Sequence, residues 1–154
     1  GEAKKPIKAL TRILKTVRDD YDLVILDCPP GLSLLSENVF DAVDVLLVPL
    51  IPAPLSLRTY DQLVEFLSKA SSGTQPRLAP FFSMVDGRKR LHAEVRDELA
   101  ARTPDLLESW LPAASVVERM GATRQPLVIT DPSSRAAQAY DDLWWELAGL
   151  LEAQ

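Results

Sequence analysis

The stretch from Tyr21 to Pro52 constrains the fold more than any other. It contains two short apolar runs, Leu23-Val24-Ile25-Leu26 and Val45-Leu46-Leu47-Val48, each ended by a residue that does not belong in a buried strand. Asp27 stops the first and Pro49 stops the second. Short, continuous apolar runs bounded by turn residues predict strands of a parallel sheet covered on both faces. Between them, Pro29-Pro30-Gly31 predicts a loop in which two prolines limit the backbone and Gly31 permits unusual dihedral angles. Leu34 to Val43 then carries a helical pattern. The unit is strand, loop, helix, strand. In such units ligands bind beyond the carboxyl ends of the strands, and Asp27 stands at one of those ends.

The rest of the chain repeats this alternation. Residues 6–18 place Ile7, Leu10, Ile13, Leu14 and Val17 on one face of an amphipathic helix. A proline-rich connection over 49–58 leads to a helix expected from Leu57 to Lys69, with Tyr60, Leu63, Val64 and Leu67 turned inward. After a loop at Ser71–Pro76, Leu78–Val85 predicts the next strand. Its Pro80 has no ladder hydrogen bond to donate and belongs near the strand's start or at an edge. Phe81 and Phe82 are expected in the core. Leu91–Arg102 predicts a helix with Val95 and Leu99 inward, Leu106–Leu111 a weak strand, and Pro126–Ile129 a short extended piece. Asp131-Pro132 reads as an N-cap followed by proline at the first helical position. It opens a last helix over 132–152 that carries Ala136, Tyr140, Leu143, Trp144, Leu147 and Leu151 at helical spacing. The fold class is therefore α/β, a mostly parallel sheet with helices on both faces.

Composition narrows the function. A chain of 154 residues with 47% hydrophobic and 25% charged residues suits one globular domain. The net charge of −5 argues against a strongly basic nucleic-acid module. It leaves room for a local patch, and Arg88-Lys89-Arg90 is the one dense basic cluster. A single cysteine, Cys28, rules out an internal disulfide and suits a reducing cytoplasm. His92 has no Cys or His partner at metal spacing. The polar face of the last helix bears Asp141, Asp142, Glu146 and Glu152, whereas an interfacial membrane anchor is rich in Lys and Arg there.

Four ordered blocks resemble a known family, the ParA/Soj-type partitioning ATPases of the deviant Walker-motif group that includes MinD. The family pattern D-Y-D-x-h-h-h-D-x-P-P, followed by a loop and a helix ending A-A-D, stands here as Asp20-Tyr21-Asp22, Asp27-Cys28-Pro29-Pro30 and Ala42-Val43-Asp44. Met84-Val85-Asp86-Gly87-Arg88 resembles its T-M-h-D-x-R. Leu111-Pro112 resembles its h-P, and Gln125-Pro126-Leu127, Asp131-Pro132-Ser133-Ser134-Arg135-Ala136-Ala137 and Tyr140 resemble its closing segment. Nothing in the 154 residues matches G-x-x-x-x-G-K-[ST], the phosphate loop whose amides and lysine cradle a nucleotide's phosphates.

The resemblance implies an incomplete P-loop NTPase fold of the SIMIBI type, with residues 1–154 forming the C-terminal portion of a ParA-like nucleotide-binding domain. Catalytic residues are then expected upstream of Gly1 and none in this chain. The cofactors implied are ATP and Mg²⁺, with Asp27 holding the metal through a water and Pro29, Pro30 and Gly31 forming the loop that senses the γ-phosphate. Ser83, Met84, Asp86 and Pro112 are implied near the base, and Arg88, Lys89 and Arg90 in nonspecific DNA binding. The family's P-R-N-V-R reads here as Pro112-Ala113-Ala114-Ser115-Val116, so both of its arginines are replaced, though Arg119 and Arg124 lie close by. The implied partners are a second copy of the chain in an ATP-dependent dimer, a ParB-like or cargo-adaptor protein, and DNA, with no membrane. The implied location is cytoplasmic, at the nucleoid. The process would be the partitioning or positioning of DNA or of a large cargo. An alternative from another class is a non-catalytic interaction module that binds a protein through Pro49–Arg58. A third is an ATPase of cobyrinate amidation or cell-surface polysaccharide regulation, against which the Asp-Pro-x-Ser…Tyr ending speaks. The resemblance also places the phosphate-loop strand between the two runs of the opening stretch. The gap would be filled by a separate N-terminal piece, by a domain swap, or by an altered strand order.

Overall fold

The computed structural model describes residues 7–28, 39–69 and 75–152. In chain order the elements are α1 (Ile7–Val17), β1 (Val45–Leu50), α2 (Pro54–Lys69), β2 (Arg77–Val85), α3 (Arg90–Ala100), β3 (Trp110–Pro112), α4 (Ser115–Thr123), α5 (Leu127–Thr130) and α6 (Arg135–Glu152). The strands form one sheet in the order β1-β2-β3. β2 and β3 are parallel. The Arg77 N–H bonds the Asp44 carbonyl at 2.9 Å, which joins the starts of β1 and β2 and sets them parallel too. The α/β reading with a parallel sheet is thus borne out. The chain divides into two compact units, residues 1–46 with 61–77, and residues 47–60 with 78–154.

In the second unit the core is built around β2. Ala79, Pro80, Phe81 and Phe82 are all buried, as a central strand covered on both faces requires. Leu50, Leu57, Tyr60, Phe82, Val85, Val95 and Leu99 form one cluster, with Val48, Leu78, Leu106 and Trp110 packed against it. The β2–β3 register pairs Phe82 with Trp110 and Val85 with Pro112, so β2 carries one residue more than β3 over this span. That extra residue is a bulge. Side chains of an unbroken strand alternate faces, so residues three apart would point to opposite sides. The bulge instead lets Phe82 and Val85 enter the same cluster. Met84 within it has φ 58°, a left-handed conformation uncommon for a residue with a Cβ.

Three strand expectations change. The run Leu23–Leu26 joins no ladder among the described residues, and Leu23, Val24 and Ile25 are exposed, Ile25 at 77%. Apolar composition makes a strand only where a neighbour takes up its N–H and C=O groups, and no described residue is placed to do so. β1 does not stop at Pro49 but runs through it to Leu50. It lies at the end of the strand order, where a missing N–H costs no ladder bond. β3 is shorter and later than Leu106–Leu111, because a single bond reaches β2 at Leu107 while the N–H groups on either side of it bond away from β2. The Leu106 N–H goes to the Thr103 carbonyl and the Leu107 N–H to the Pro80 carbonyl. The N–H groups of Glu108 and Ser109 go to the two carboxylate oxygens of Glu146 at 2.7 and 2.9 Å.

The helices follow their patterns with shifted ends. α2 opens at Pro54 rather than Leu57, since proline suits the first helical position. Pro126–Ile129 is not extended. The Ile129 and Thr130 N–H groups bond the Pro126 carbonyl, and a helical turn results. It is anchored by buried Leu127 against Ala136 and Ala137, with Met120 and Tyr140 alongside. α6 begins at Arg135, and its cap is Ser134 rather than Asp131. The Ser134 hydroxyl accepts the Ala137 N–H at 3.2 Å and donates to the Asp131 carbonyl at 2.8 Å. Along α6, Ala136 and Leu143 are buried as expected, whereas Trp144 is exposed.

In the first unit α1 forms where its spacing predicts, with Leu10, Leu14 and Val17 half-buried and Ile13 exposed. The helix expected over Leu34–Val43 lies mostly outside the described residues. At its end, the Ala42 and Val43 N–H groups both bond the Val39 carbonyl. Phe40 meets Phe66 edge-on, with ring centroids 6.1 Å apart.

Leu99 has no exposed surface and sits in the main cluster. Leu99→Ala should lower stability by about 2–5 kcal/mol in urea titration. Ser134→Ala removes only a cap and should cost about 1 kcal/mol.

Candidate functional site

The carboxyl ends of the strands define the site. β2 ends at Val85 and β3 at Pro112, and these two residues are register partners. The Ala113 N–H extends the pairing to the Val85 carbonyl at 2.9 Å. The fold therefore brings Ser83, Met84 and Asp86 to the same edge as Pro112, which lies 26 residues further along the chain than Asp86. Ser83 is half-buried and Met84 is exposed at 53%. The bulge is what turns the Met84 side chain out of the core.

Beyond β2 the chain is held by three residues acting together. The Asp86 carboxylate accepts the Arg88 backbone N–H at 3.1 Å, Arg88 Nε at 3.0 Å and Arg88 Nη2 at 3.0 Å. The last two form a two-pronged guanidinium–carboxylate contact, the strong geometry for such pairs. The Asp86 N–H donates to His92 Nδ1 at 3.0 Å. The Lys89 N–H closes a turn onto the Asp86 carbonyl at 3.1 Å. His92 is the third residue of α3 and is buried, so its acceptor is fixed by the helix. The hydrogen bonds of the Arg88 side chain, then of its backbone N–H, pull the Asp86 carboxyl from 3.8 down to about 2. Asp86 in turn raises the Arg88 pKa.

The basic triplet is thus less free than its sequence implies. Arg88 is engaged by Asp86, although its side chain is 90% exposed. Arg90 donates through Nε to Glu94 one helical turn on, at 2.7 Å. Lys89 occupies the N-cap of α3 without a side-chain cap bond. His92 was set aside in the sequence as lacking metal partners, yet it has a defined part. A histidine at the third position of a helix that follows an Asp-x-Arg turn can reach back to an N–H, as a capping-box residue does. Glu146, assigned to a solvated face, likewise binds backbone N–H groups.

Asp27 lies in the first unit, exposed, at the end of the run that begins with Leu23. Pro29, Pro30 and Gly31 lie outside the described residues. No group of three or more His, Cys, Asp or Glu suited to a metal occurs among the described residues. A single carboxylate still fits magnesium, which keeps several waters and is commonly held by one or two carboxylates plus substrate phosphates.

The parallel sheet with helices between its strands is an α/β architecture, and two solved structures share the fold, which is of the SIMIBI P-loop NTPase type. The chain superposes on the Pyrococcus furiosus cell division ATPase MinD with a TM-score of 0.75 at 20% identity, over 94% of this chain and 59% of that one. It superposes on cobyrinic acid a,c-diamide synthase from Mycobacterium smegmatis with a TM-score of 0.64 at 23% identity, over 80% of this chain and 57% of that one. In sequence it is 29% identical over 143 residues to the sporulation initiation inhibitor protein Soj of Bacillus subtilis, covering 90% of this chain and 56% of Soj. It is 27% identical over 138 residues to the chromosome partitioning protein ParA of Myxococcus xanthus, covering 87% of this chain and 49% of that protein. The chain spans about half the length of these relatives. Residues 2–79 match a family model described as an AAA domain, and the chain belongs to that family.

Asp86 binds Arg88 through a depressed carboxyl, so the contact contributes stability above about pH 4 and loses it as pH falls toward 2. An NMR titration of the Asp86 carboxyl should show a midpoint near 2. In Arg88→Ala the midpoint should return toward the ordinary value, and an unchanged midpoint would mean that the clamp does not form in solution.

Proposed function

We propose that this chain is the C-terminal portion of an ATP-dependent dimer switch of the ParA type. The complete protein would partition or position DNA or a large cargo. The observation that carries the reading is the sequence match to Soj and ParA proteins over about nine-tenths of the chain. The carboxyl-edge loop Asp86–Arg90 supports it, because nucleotides in this fold class lie at that edge.

In this reading ATP and Mg²⁺ are the cofactors. Magnesium, when bound, neutralises charge on the phosphates. Asp27 would hold the ion through a bound water, and Pro29, Pro30 and Gly31 are assigned to sensing the γ-phosphate. Ser83, Met84, Asp86 and Pro112 border the base, with Met84 offering an exposed apolar contact. The loop Arg88–Arg90 meets DNA phosphates without reading sequence. The remaining partners are a second copy of the chain and a ParB-like or cargo-adaptor protein. The setting is the cytoplasm, at the nucleoid, and no described helix is long and apolar enough to cross a membrane.

The test uses the natural gene product that contains this chain, with MgATP binding followed by calorimetry. Binding should require magnesium. Asp27→Ala should weaken magnesium-dependent binding or turnover by about 10–100-fold, the usual effect of losing a residue that orients a metal's bound ligands. A gene product that binds no nucleotide would replace this reading with the non-catalytic interaction module, in which Pro49–Arg58 contacts a protein.

A further inference from the structure

Three cations follow one another at the start of α3, and two of them are already held by carboxylates of the same chain. Asp86 takes the Nε and Nη2 edge of Arg88, and Glu94 takes Nε of Arg90. Lys89 forms no ion pair among the described residues. The three positive and two negative side chains leave a net single positive charge on a loop whose sequence alone suggests three. We propose that Asp86 and Glu94 are built-in brakes on nucleic-acid binding, and that DNA phosphates must compete with them for Arg88 and Arg90. The inference rests on the proposed DNA contact of this loop and adds its regulation.

The two brakes differ in strength, and the geometry says why. Glu94 is one helical turn from Arg90, both side chains are largely exposed, and water and salt screen such pairs so that they hold weakly. It yields readily. Asp86 is only 18% exposed and accepts three hydrogen bonds from Arg88. Its backbone is pinned by the bond from its N–H to His92, so it does not swing away with the loop. Its carboxyl, near 2, stays ionised at every physiological pH. Protonation therefore does not release Arg88, and displacement by another anion does.

A carboxylate beside an arginine has two opposed effects on a phosphate ligand. It orients the guanidinium, which saves part of the rotamer entropy that an exposed arginine loses on binding. It also removes one positive charge from a contact whose affinity comes from displaced counterions. Each phosphate neutralised changes the slope of log K against log salt by about 0.9, which is close to tenfold in affinity per decade of salt. The entropy saved on one side chain is smaller, so loss of charge wins, and the carboxylate restrains binding.

The experiment measures binding of the natural gene product that contains this chain, with MgATP present, to a random-sequence duplex by fluorescence anisotropy across a salt series. Asp86→Asn keeps an acceptor for the Arg88 N–H while removing the charge. Glu94→Gln alters an exposed helix position and serves as the variant least able to disturb folding. Asp86→Asn should bind about 5–10-fold more tightly near 0.1 M salt, with a slope steeper by about 0.9, whereas Glu94→Gln, which frees a weakly held arginine, should gain only about twofold. Adding Arg88→Ala to Asp86→Asn should abolish the gain. If Arg88→Ala weakens binding but neither carboxylate variant strengthens it, the brake is overturned and the DNA contact stands. If wild type and both carboxylate variants fail to bind at low salt, the DNA contact itself falls, and the brake with it.

Discussion

The packing of β2 is the constraint on which the rest of this structure depends. Four consecutive residues, Ala79 to Phe82, are buried, so helices or loops must cover both faces of the strand. α2 and α3 meet that demand by sending Leu57, Tyr60, Val95 and Leu99 to the cluster that holds Phe82 and Val85. The single-residue bulge then reconciles two requirements. It keeps Val85 in the core, and it turns Met84 out at the edge where ligands of this fold class bind. A left-handed conformation at a methionine costs of the order of 1–3 kcal/mol, and such strain persists only where surrounding packing imposes it.

The loop after β2 inherits its order from that packing. His92 is buried because α3 lies on β2, and its imidazole is thereby positioned to accept the Asp86 N–H. Asp86 is in turn positioned to hold Arg88. A short chain of contacts thus runs from the core to an arginine that is almost wholly exposed. The partitioning-ATPase relationship gives that arginine a context, and the ion pair gives it a state: engaged, oriented and partly neutralised.

Several features were legible in the residues themselves. The alternation of apolar runs with helical patterns marked β1, α2, β2, α3 and α6, and Phe81, Phe82, Val95 and Leu99 were core residues on pattern alone. The basic triplet and the edge residues Met84, Asp86 and Pro112 were named from motifs, and the fold assembles them at one end of the sheet. Others were hidden for definite reasons. Glu146 looked like a solvent-facing charge because helical spacing does not show that a loop 37 residues away needs its N–H groups capped. Pro126–Ile129 looked extended because four residues cannot distinguish a strand from a single helical turn.

The sequence by itself determined the class of fold, the family relationship and much of the core, because these follow from local periodicity and from motif order, whereas Ile13, Val64 and Trp144 share a core-facing pattern and are exposed. Tertiary structure decided what depends on neighbours. Leu23–Leu26 has the composition of a strand, but strand formation requires a partner for its backbone groups, and no described residue supplies one. β3 is cut short because the Thr103 carbonyl and the Glu146 carboxylate take the N–H groups on either side of the single Leu107 bond to β2. Arg88, Lys89 and Arg90 are three equal charges in the sequence. Only the folded chain distinguishes them, because ion pairing depends on distance, and distance is set by the packing of α3 against β2.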